Sequence, residues 1–442
     1  MGESRCAARG SPPFRYDLGL RLGTGSPTAS AGLPARRIFA STLLFPDLIW
    51  LRIIPLRALL ACLISILFDL QRENSMFQAQ SFWSRIARVF MLAAVSLGAA
   101  VASAVVATAQ QSVPPRTIPL VYQQRLQNAS PEVKARLEAL EQRAVREKWR
   151  FRPVYTSALD RPLSQLTGAK PGGPSQTVAR ARQDSAKDAL ESYAREKRRL
   201  GIPEGKAACN PQAAAFDWRS HNMISPVQNQ YSCGSCWAFA AVAVLESGHL
   251  IENGKQLDAS EQHLLNCTRD SDCVEGYLDY ALDYLVSDGT TLRADEPYTA
   301  VKANSCPIPS TPVHRLVTSA MIESDWTQVV APEKIKDALC EHGPVATRLI
   351  VTDAFGSVGD DVFHQVDSDL TVFSPNAHFL AIVGWDDKRG AHGAWLIKNS
   401  WGDTWGDQGF AWIEYGANLI GHETIWVQVA HEKVVAASSS SK

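Results

Sequence analysis

The order of apolar and polar positions divides the chain into stretches of different character. From Met91 to Gln110, "MLAAVSLGAAVASAVVATAQ" is almost wholly apolar, with Arg85 and Arg88 ahead of it and Ala107-Thr108-Ala109 near its end. A basic lead, an apolar centre and a small-residue exit predict an export signal over 76–109, cut after Ala109; an uncleaved membrane anchor is the alternative. Leu48 to Phe68 is also apolar, but Arg52, Pro55 and Arg57 interrupt it and make it a poor bilayer span. An export signal normally opens a chain, so residues 1–75 read as a doubtful N-terminal extension from a start codon placed too far upstream, and no function is assigned to them.

Farther on, Ser130 to Trp149 starts with Ser-Pro and carries Val133, Leu137, Leu140 and Val145 at helical spacing among charges, which predicts an amphipathic helix. "RFRPVYTSALDRPLSQLTGAKPGGPSQ" reads as extended and then loop-like, and "DSAKDALESYAREKRRLGIPEG" as a second charged helix ending at Gly201. Beyond Cys209 the periodicity changes. A buried helix is predicted from Cys236 to Leu250, through Trp237, Phe239, Ala240, Ala243 and Val244. "HFLAIVGW" and "GAWLIKNSW" read as neighbouring antiparallel strands joined by "DDKRGAHG". The fold class expected for the chain is α+β. Residues 431–442 are expected to be a disordered tail.

The chain has 442 residues, more than the ~100–200 usual for one domain, so at least one segment is expected to be accessory. Charge marks it. Gln110 to Ala208 holds 19 Lys and Arg against 10 Asp and Glu, a net of +9, and Cys209 to Ala430 holds 12 against 29, a net of -17. A nucleic-acid binder concentrates basic charge on its working domain, and here that domain is acidic, so no nucleic-acid partner is expected. The basic block answers the acidic one within the same chain.

Export would carry the chain into an oxidising compartment, which makes its cysteines disulfide candidates. Of nine, Cys6 and Cys62 fall in the doubtful extension, and seven remain: Cys209, Cys233, Cys236, Cys267, Cys273, Cys306 and Cys340. An odd number leaves at least one thiol free. "SCGSCW" contains C-x-x-C, yet no βαβ unit surrounds it for thioredoxin-like chemistry and no second close pair completes a zinc site. Cys236 opens the buried helix instead, where unpaired N–H groups and the helix dipole favour the thiolate. A structural buried cysteine is the bland alternative. Against it, His378 precedes one of the paired strands and Asn399 follows the other, so an asparagine amide can orient an imidazole that serves the thiol.

These segments resemble the papain-family (C1-type) cysteine peptidases, in the manner of a bacterial exported member with a propeptide. The likeness covers roughly Ala215 to Val429 and rests on "Q-x-x-C-G-S-C-W-A-F", "LDASEQHLLNC", "CVEGY", "EPY", "GPVA", "NAHFLAIVGW" and "KNSWGDTWGDQGF". It implies a two-subdomain fold, a helical left half and a β-barrel-like right half with the active-site cleft between them. It implies a cysteine endopeptidase made as a zymogen, with Cys236 as nucleophile, His378 as general base and acid, and Asn399 as orienter. Gln230 would share the oxyanion hole with the Cys236 N–H, and Trp401 would cover the Asn399–His378 contact. The resemblance pairs Cys233 with Cys273 and Cys267 with Cys306; it assigns no counterpart to Cys209 and Cys340, for which a third bridge is one option.

Two departures bear on substrates. Glu275-Gly276 stands where the family commonly has Gly-Gly, so Gly276 still offers its backbone while Glu275 adds charge at the rim. Phe379 is larger than the residue often found after the catalytic histidine, and with Tyr277 it is expected to make an aromatic, shallow pocket for the second residue before the scissile bond. By resemblance, 110–208 is a propeptide, without the helical inhibitor pattern of the best-known plant and lysosomal members, and 209–430 is the catalytic domain. The expected partners are peptide or protein substrates and the chain's own propeptide as inhibitor, with no cofactor or metal, a monomeric mature form, and a secreted or periplasmic location. An inactive peptide-binding relative, or a ligase or amidase using the same acyl-enzyme, is the alternative.

Overall fold

The chain divides into Met1–Ser112 and Val113–Lys442. The computed structural model describes residues 119–203, 209–309 and 313–439, all in the second unit. The expected extension, export signal and cut site lie outside the described residues.

The N-terminal part is helical. Helix α1 spans Leu120–Gln127, α2 Pro131–Glu147, the short α3 Leu163–Leu166 and α4 Gln176–Arg199. Ser130 caps α2 by accepting from the Val133 amide, and Pro131 sits at its first position, where no intrahelical N–H is needed. Val133, Leu137, Leu140 and Ala144 are buried, whereas Val145, expected on that face, is 82% exposed. The stripe turns by one residue because 3.6 residues per turn carry 137, 140 and 144 to the inner side. Helix α4 begins eight positions before the predicted Asp184, since Ser175 accepts from the Val178 amide and starts it at Gln176.

Beyond Cys209 a helical half comes first: α5 Cys236–Asn253, α6 Glu261–Cys267 and α7 Leu278–Ser287. Helix α5 is apolar nearly all round and runs through the core, and it stops where Gly254 takes φ +65, a left-handed turn that glycine adopts without strain. The remaining helices are α8 Pro332–His342, α9 Asp353–Gly356 and α10 Glu432–Ser439. The strands are β1 Ala215–Asp217, β2 Leu316–Met321, β3 Val345–Ile350, β4 Val362–Phe363, β5 Ala377–Asp386, β6 Ala394–Lys398, β7 Phe410–Glu414 and β8 His422–Val429. They form one sheet in the order β2-β8-β3-β5-β6-β7-β4, with β1 on β5. The predicted hairpin is β5–β6, antiparallel from Ala381↔Lys398 to Asp386↔Ala394.

One hydrophobic core joins α5, α6 and α7 to one side of this sheet, through Trp237, Leu245, Leu282 and Val383. A second lies on the other side, around Phe355, Trp385, Trp395 and Trp405. The tail expected to be disordered is folded over Glu432–Ser439 as α10. Lys255 pairs with Glu432, and Asn253 Oδ1 accepts from the Glu432 amide at 2.9 Å, which ties its first turn to the end of α5.

Candidate functional site

Cys236 is the first residue of α5, and among the described residues it is the free cysteine. The other six pair as Cys209–Cys340, Cys233–Cys273 and Cys267–Cys306. His378 is the second residue of β5, and its Nε2 lies 2.7 Å from Asn399 Oδ1, just past the end of β6. The β5–β6 register brings the two together. The Trp401 ring sits 4.9 Å from the imidazole and is fully buried, so water is kept from this contact. The amide of Phe379, next to His378, reaches the Cys236 thiol and so places it beside the start of β5.

A strand of the N-terminal part crosses this site. The amides of Gly168 and Ala169 donate to the Ala377 carbonyl at 3.2 and 3.0 Å, Lys170 donates to Gly276 O at 3.0 Å, and Gly276 donates to Gly168 O at 2.8 Å. Ala169 and Gly276 thereby form a parallel bridge. The Leu166 carbonyl accepts from Gln230 Nε2 at 3.2 Å and from Trp401 Nε1 at 3.0 Å. Gln230 also donates to Cys233 O at 2.9 Å and accepts from Ser400 Oγ at 2.7 Å, which fixes its amide over the Cys236 end of α5. Residues 166–170 thus occupy Gly276, Gln230 and the thiol together.

This cover sets the protonation state. Burial pushes the Cys236 thiol up to about 12, outweighing the amides of Phe379, Trp237 and Gly168 and the charge of Arg348, which all favour the thiolate. Burial pushes His378 down to about 4 against the Asn399 hydrogen bond. At neutral pH the pair is a neutral thiol and a neutral imidazole. The helix terminus alone, as read from sequence, favours the thiolate; with the cleft filled, desolvation is the larger effect.

Of the other expected positions, Tyr277 lies beside the crossing strand, with the Lys170 ammonium 5.1 Å from its ring centroid, and Glu275 pairs with Lys170 at 3.3 Å. Phe379 is fully buried and lines an interior cavity with Phe239, Ala240 and Lys398. The N-terminal part is held by further ion pairs in which it supplies the base: Arg143 with Asp367 at 2.8 Å, Arg150 with Glu414 at 2.7 Å, Arg182 with Asp279 at 2.9 Å and Lys197 with Glu252 at 2.5 Å. Sequence reading missed the crossing strand and the buried Arg348–Glu423 pair at 3.5 Å. For Arg348 a lone arginine in the otherwise apolar run Val345–Ile350 was the available signal.

A family model described as papain family cysteine protease matches residues 212–432, half of the chain. A probable cysteine protease of Arabidopsis thaliana is 29% identical over 232 residues, covering 49% of this chain and 62% of that protein. A digestive cysteine proteinase of Homarus americanus is 30% identical over 209 residues, covering 46% and 62%. The matched part spans about three fifths of each of these two relatives. The structure of a digestive procathepsin L of Tenebrio molitor matches with a TM-score of 0.50 at 21% identity, covering 70% of this chain and 97% of that one. That likeness shows the fold, in which a helical half and a β-rich half meet at Cys236 and His378.

Proposed function

The chain belongs to the papain family of cysteine proteases, and from that premise we propose that it is a peptidase held latent by its own segment 110–208. The reading is supported by the path of residues 166–170: the Leu166 carbonyl takes the Gln230 amide, the Gly168 amide reaches the Cys236 thiol, and 168–170 pair with Gly276 and with Ala377 beside His378.

With that stretch gone, His378 takes the Cys236 proton and the thiolate attacks the substrate carbonyl. The tetrahedral oxyanion is held by Gln230 Nε2 and the Cys236 N–H. His378 returns the proton to the leaving amine, the C–N bond breaks, and a thioester remains. Water, deprotonated by His378, then attacks the thioester carbonyl and releases the carboxylic acid and the thiol. Asn399 holds the ring through Nε2, which leaves Nδ1 for the sulfur; in the closed form Nδ1 makes no hydrogen bond. Tyr277, beside residues 167–170, is assigned to the pocket for the second residue before the cut, whereas Phe379 is fully buried with Phe239 and Ala240 and departs from its expected place on that pocket's wall.

The same reading makes the protein an exported zymogen. Its support is the signal-like stretch 76–109, the three disulfides, and a basic N-terminal part paired to an acidic catalytic part. Among the described residues no helix is long and apolar enough to cross a membrane. The bacterial character expected of it rests on that export pattern alone. The deciding experiment is turnover of fluorogenic peptides by the processed protein and by Cys236→Ala. Full activity in a folded Cys236→Ala protein sinks the assignment.

A further inference from the structure

We propose that Asp279 and Asp283 form a receptor for a basic side chain of the substrate, arginine above all, and that Arg182 occupies it in the latent form. This inference rests on the peptidase reading above.

The two carboxylates stand four residues apart on one face of α7, which begins two residues after Gly276, the backbone partner of the extended chain. A single guanidinium spans them: Arg182 Nη1 donates to Asp279 Oδ2 at 2.9 Å and Nη2 to Asp283 Oδ2 at 2.7 Å. A planar fork bridges two acceptors at this separation, whereas a point ammonium serves one, so arginine is favoured over lysine. Asp279 is 5% exposed, and its second oxygen makes no hydrogen bond although it is buried. Beside the pair lies a small hollow lined by Leu282, Met321 and Ile425 and closed by Ala179 and Arg182 of α4. Loss of α4 opens it and takes the guanidinium away.

What remains is a charge imbalance. Asp279 repels both Asp283 and Glu423, while Arg269 acts on Asp283 and Arg348 on Glu423. Arg348 is committed to Glu423 and Arg269 lies over the Tyr280 ring at 4.2 Å, so Asp279 is left without the cation that Arg182 gave it. Asp279 and Asp283 repel each other one helical turn apart, so with the guanidinium gone the open cleft gains by taking a cation from a bound peptide. A peptide extended along Gly276 passes the start of α7 and offers its side chains to this hollow. In sequence nothing distinguishes Arg182 from the other arginines of a charged helix.

The test uses full-length protein after processing and pairs of fluorogenic peptides that differ in arginine against citrulline, its uncharged isostere, at each of the three residues before the cut. The expected result is a kcat/KM for arginine roughly ten- to a hundredfold above citrulline at one of these positions. That ratio should fall towards unity in Asp279→Asn and in the half-exposed Asp283→Asn, which keeps the test open if the buried variant does not fold. The same peptides titrated calorimetrically against processed Cys236→Ala read the site without turnover. Equal kcat/KM and equal affinity for the two peptides overturn the inference, as does a preference that survives Asp283→Asn undiminished. Selective binding of arginine peptides with no turnover by the wild type leaves the receptor standing and sinks the peptidase reading.

Discussion

Gly168 lies so close to Gly234 that a β-carbon on Gly168 would stand 1.8 Å from the Gly234 carbonyl oxygen. Neither backbone can yield easily, because Gly234 is itself bound to Cys273 O through its amide at 2.7 Å and Cys273 is tied to Cys233. The crossing strand therefore passes over the nucleophile only as glycine. Gly168→Ala should lift residues 167–169 from the cleft and leave the helices of the N-terminal part docked. The expected outcome is a full-length protein that shows peptidase activity or self-processing without the usual delay, followed with a fluorogenic peptide from the moment of refolding. Unchanged latency in Gly168→Ala would mean that 166–170 does not block the site.

The neutral Cys236–His378 pair gives a second expectation. With the thiol pushed up to about 12 and the imidazole down to about 4, almost no thiolate exists at pH 7 in the closed form. Hydration after release of the strand lowers the first and raises the second, and the helix terminus then favours the thiolate. Iodoacetamide should label Cys236 at least a hundredfold faster in the processed protein than in the latent one, an order-of-magnitude figure from the thiolate fraction. Mass spectrometry of the labelled peptide measures both rates, and equal rates would refute the account.

Removal of either triad partner should separate their roles. In the proposed mechanism His378 moves protons and Asn399 only aims the ring, so His378→Ala should lose on the order of 10³-fold or more in kcat, while Asn399→Ala keeps measurable turnover. Equal losses would contradict the assignment.

The residues proposed for the chemistry stand out in the sequence because their signals are local. Cys236 announces itself by standing where an apolar helix begins, and His378 and Asn399 by flanking two strands that pair as predicted. The cover was not legible, because Leu166 to Lys170 acquires its meaning from Gln230, Gly276 and Ala377, distant in the chain, and "LTGAK" carries no periodicity. Val145 shows the same limit. Its spacing fits a helical stripe, but which arc of that stripe faces inward is decided by the residues it meets. The Cys209–Cys340 bridge was one option among several until the fold brought the two cysteines together at a Cα–Cα distance of 5.1 Å.

That bridge closes a loop of 131 residues and anchors the start of the catalytic part to α8. A loop of this length restrains the unfolded chain by about 4–5 kcal/mol in the chain-entropy model. Cys209→Ser with Cys340→Ser should therefore lower the denaturant midpoint of the processed protein by several kcal/mol equivalent while leaving Cys236 reactive. An unchanged midpoint would show that the bridge restrains little.

Latency should end on acidification, and the signs can be followed group by group. Burial holds His378 at about 4 in the closed form, below its ordinary value near 6.5. Between those values an open form takes a proton on His378 that the closed form refuses, so each step down in pH favours opening. Burial raises Asp279 and Asp283 above the usual carboxylate range in the closed form, so as pH falls the closed form takes up protons there before the hydrated open form does, and these two groups oppose the opening that His378 drives. Salt weakens the partly exposed pairs of Arg143 and Arg150 at any pH. The lag before self-processing of the full-length protein should shorten steadily from about pH 6.5 to pH 4 and shorten again in high salt at pH 7. Replacing Arg182 by Gln should shorten the lag at pH 7, because the guanidinium that ties Asp279 and Asp283 to the N-terminal part is gone. A lag independent of both pH and salt would reject charge as the latch and leave backbone pairing at Gly276 and Ala377 to hold the segment alone.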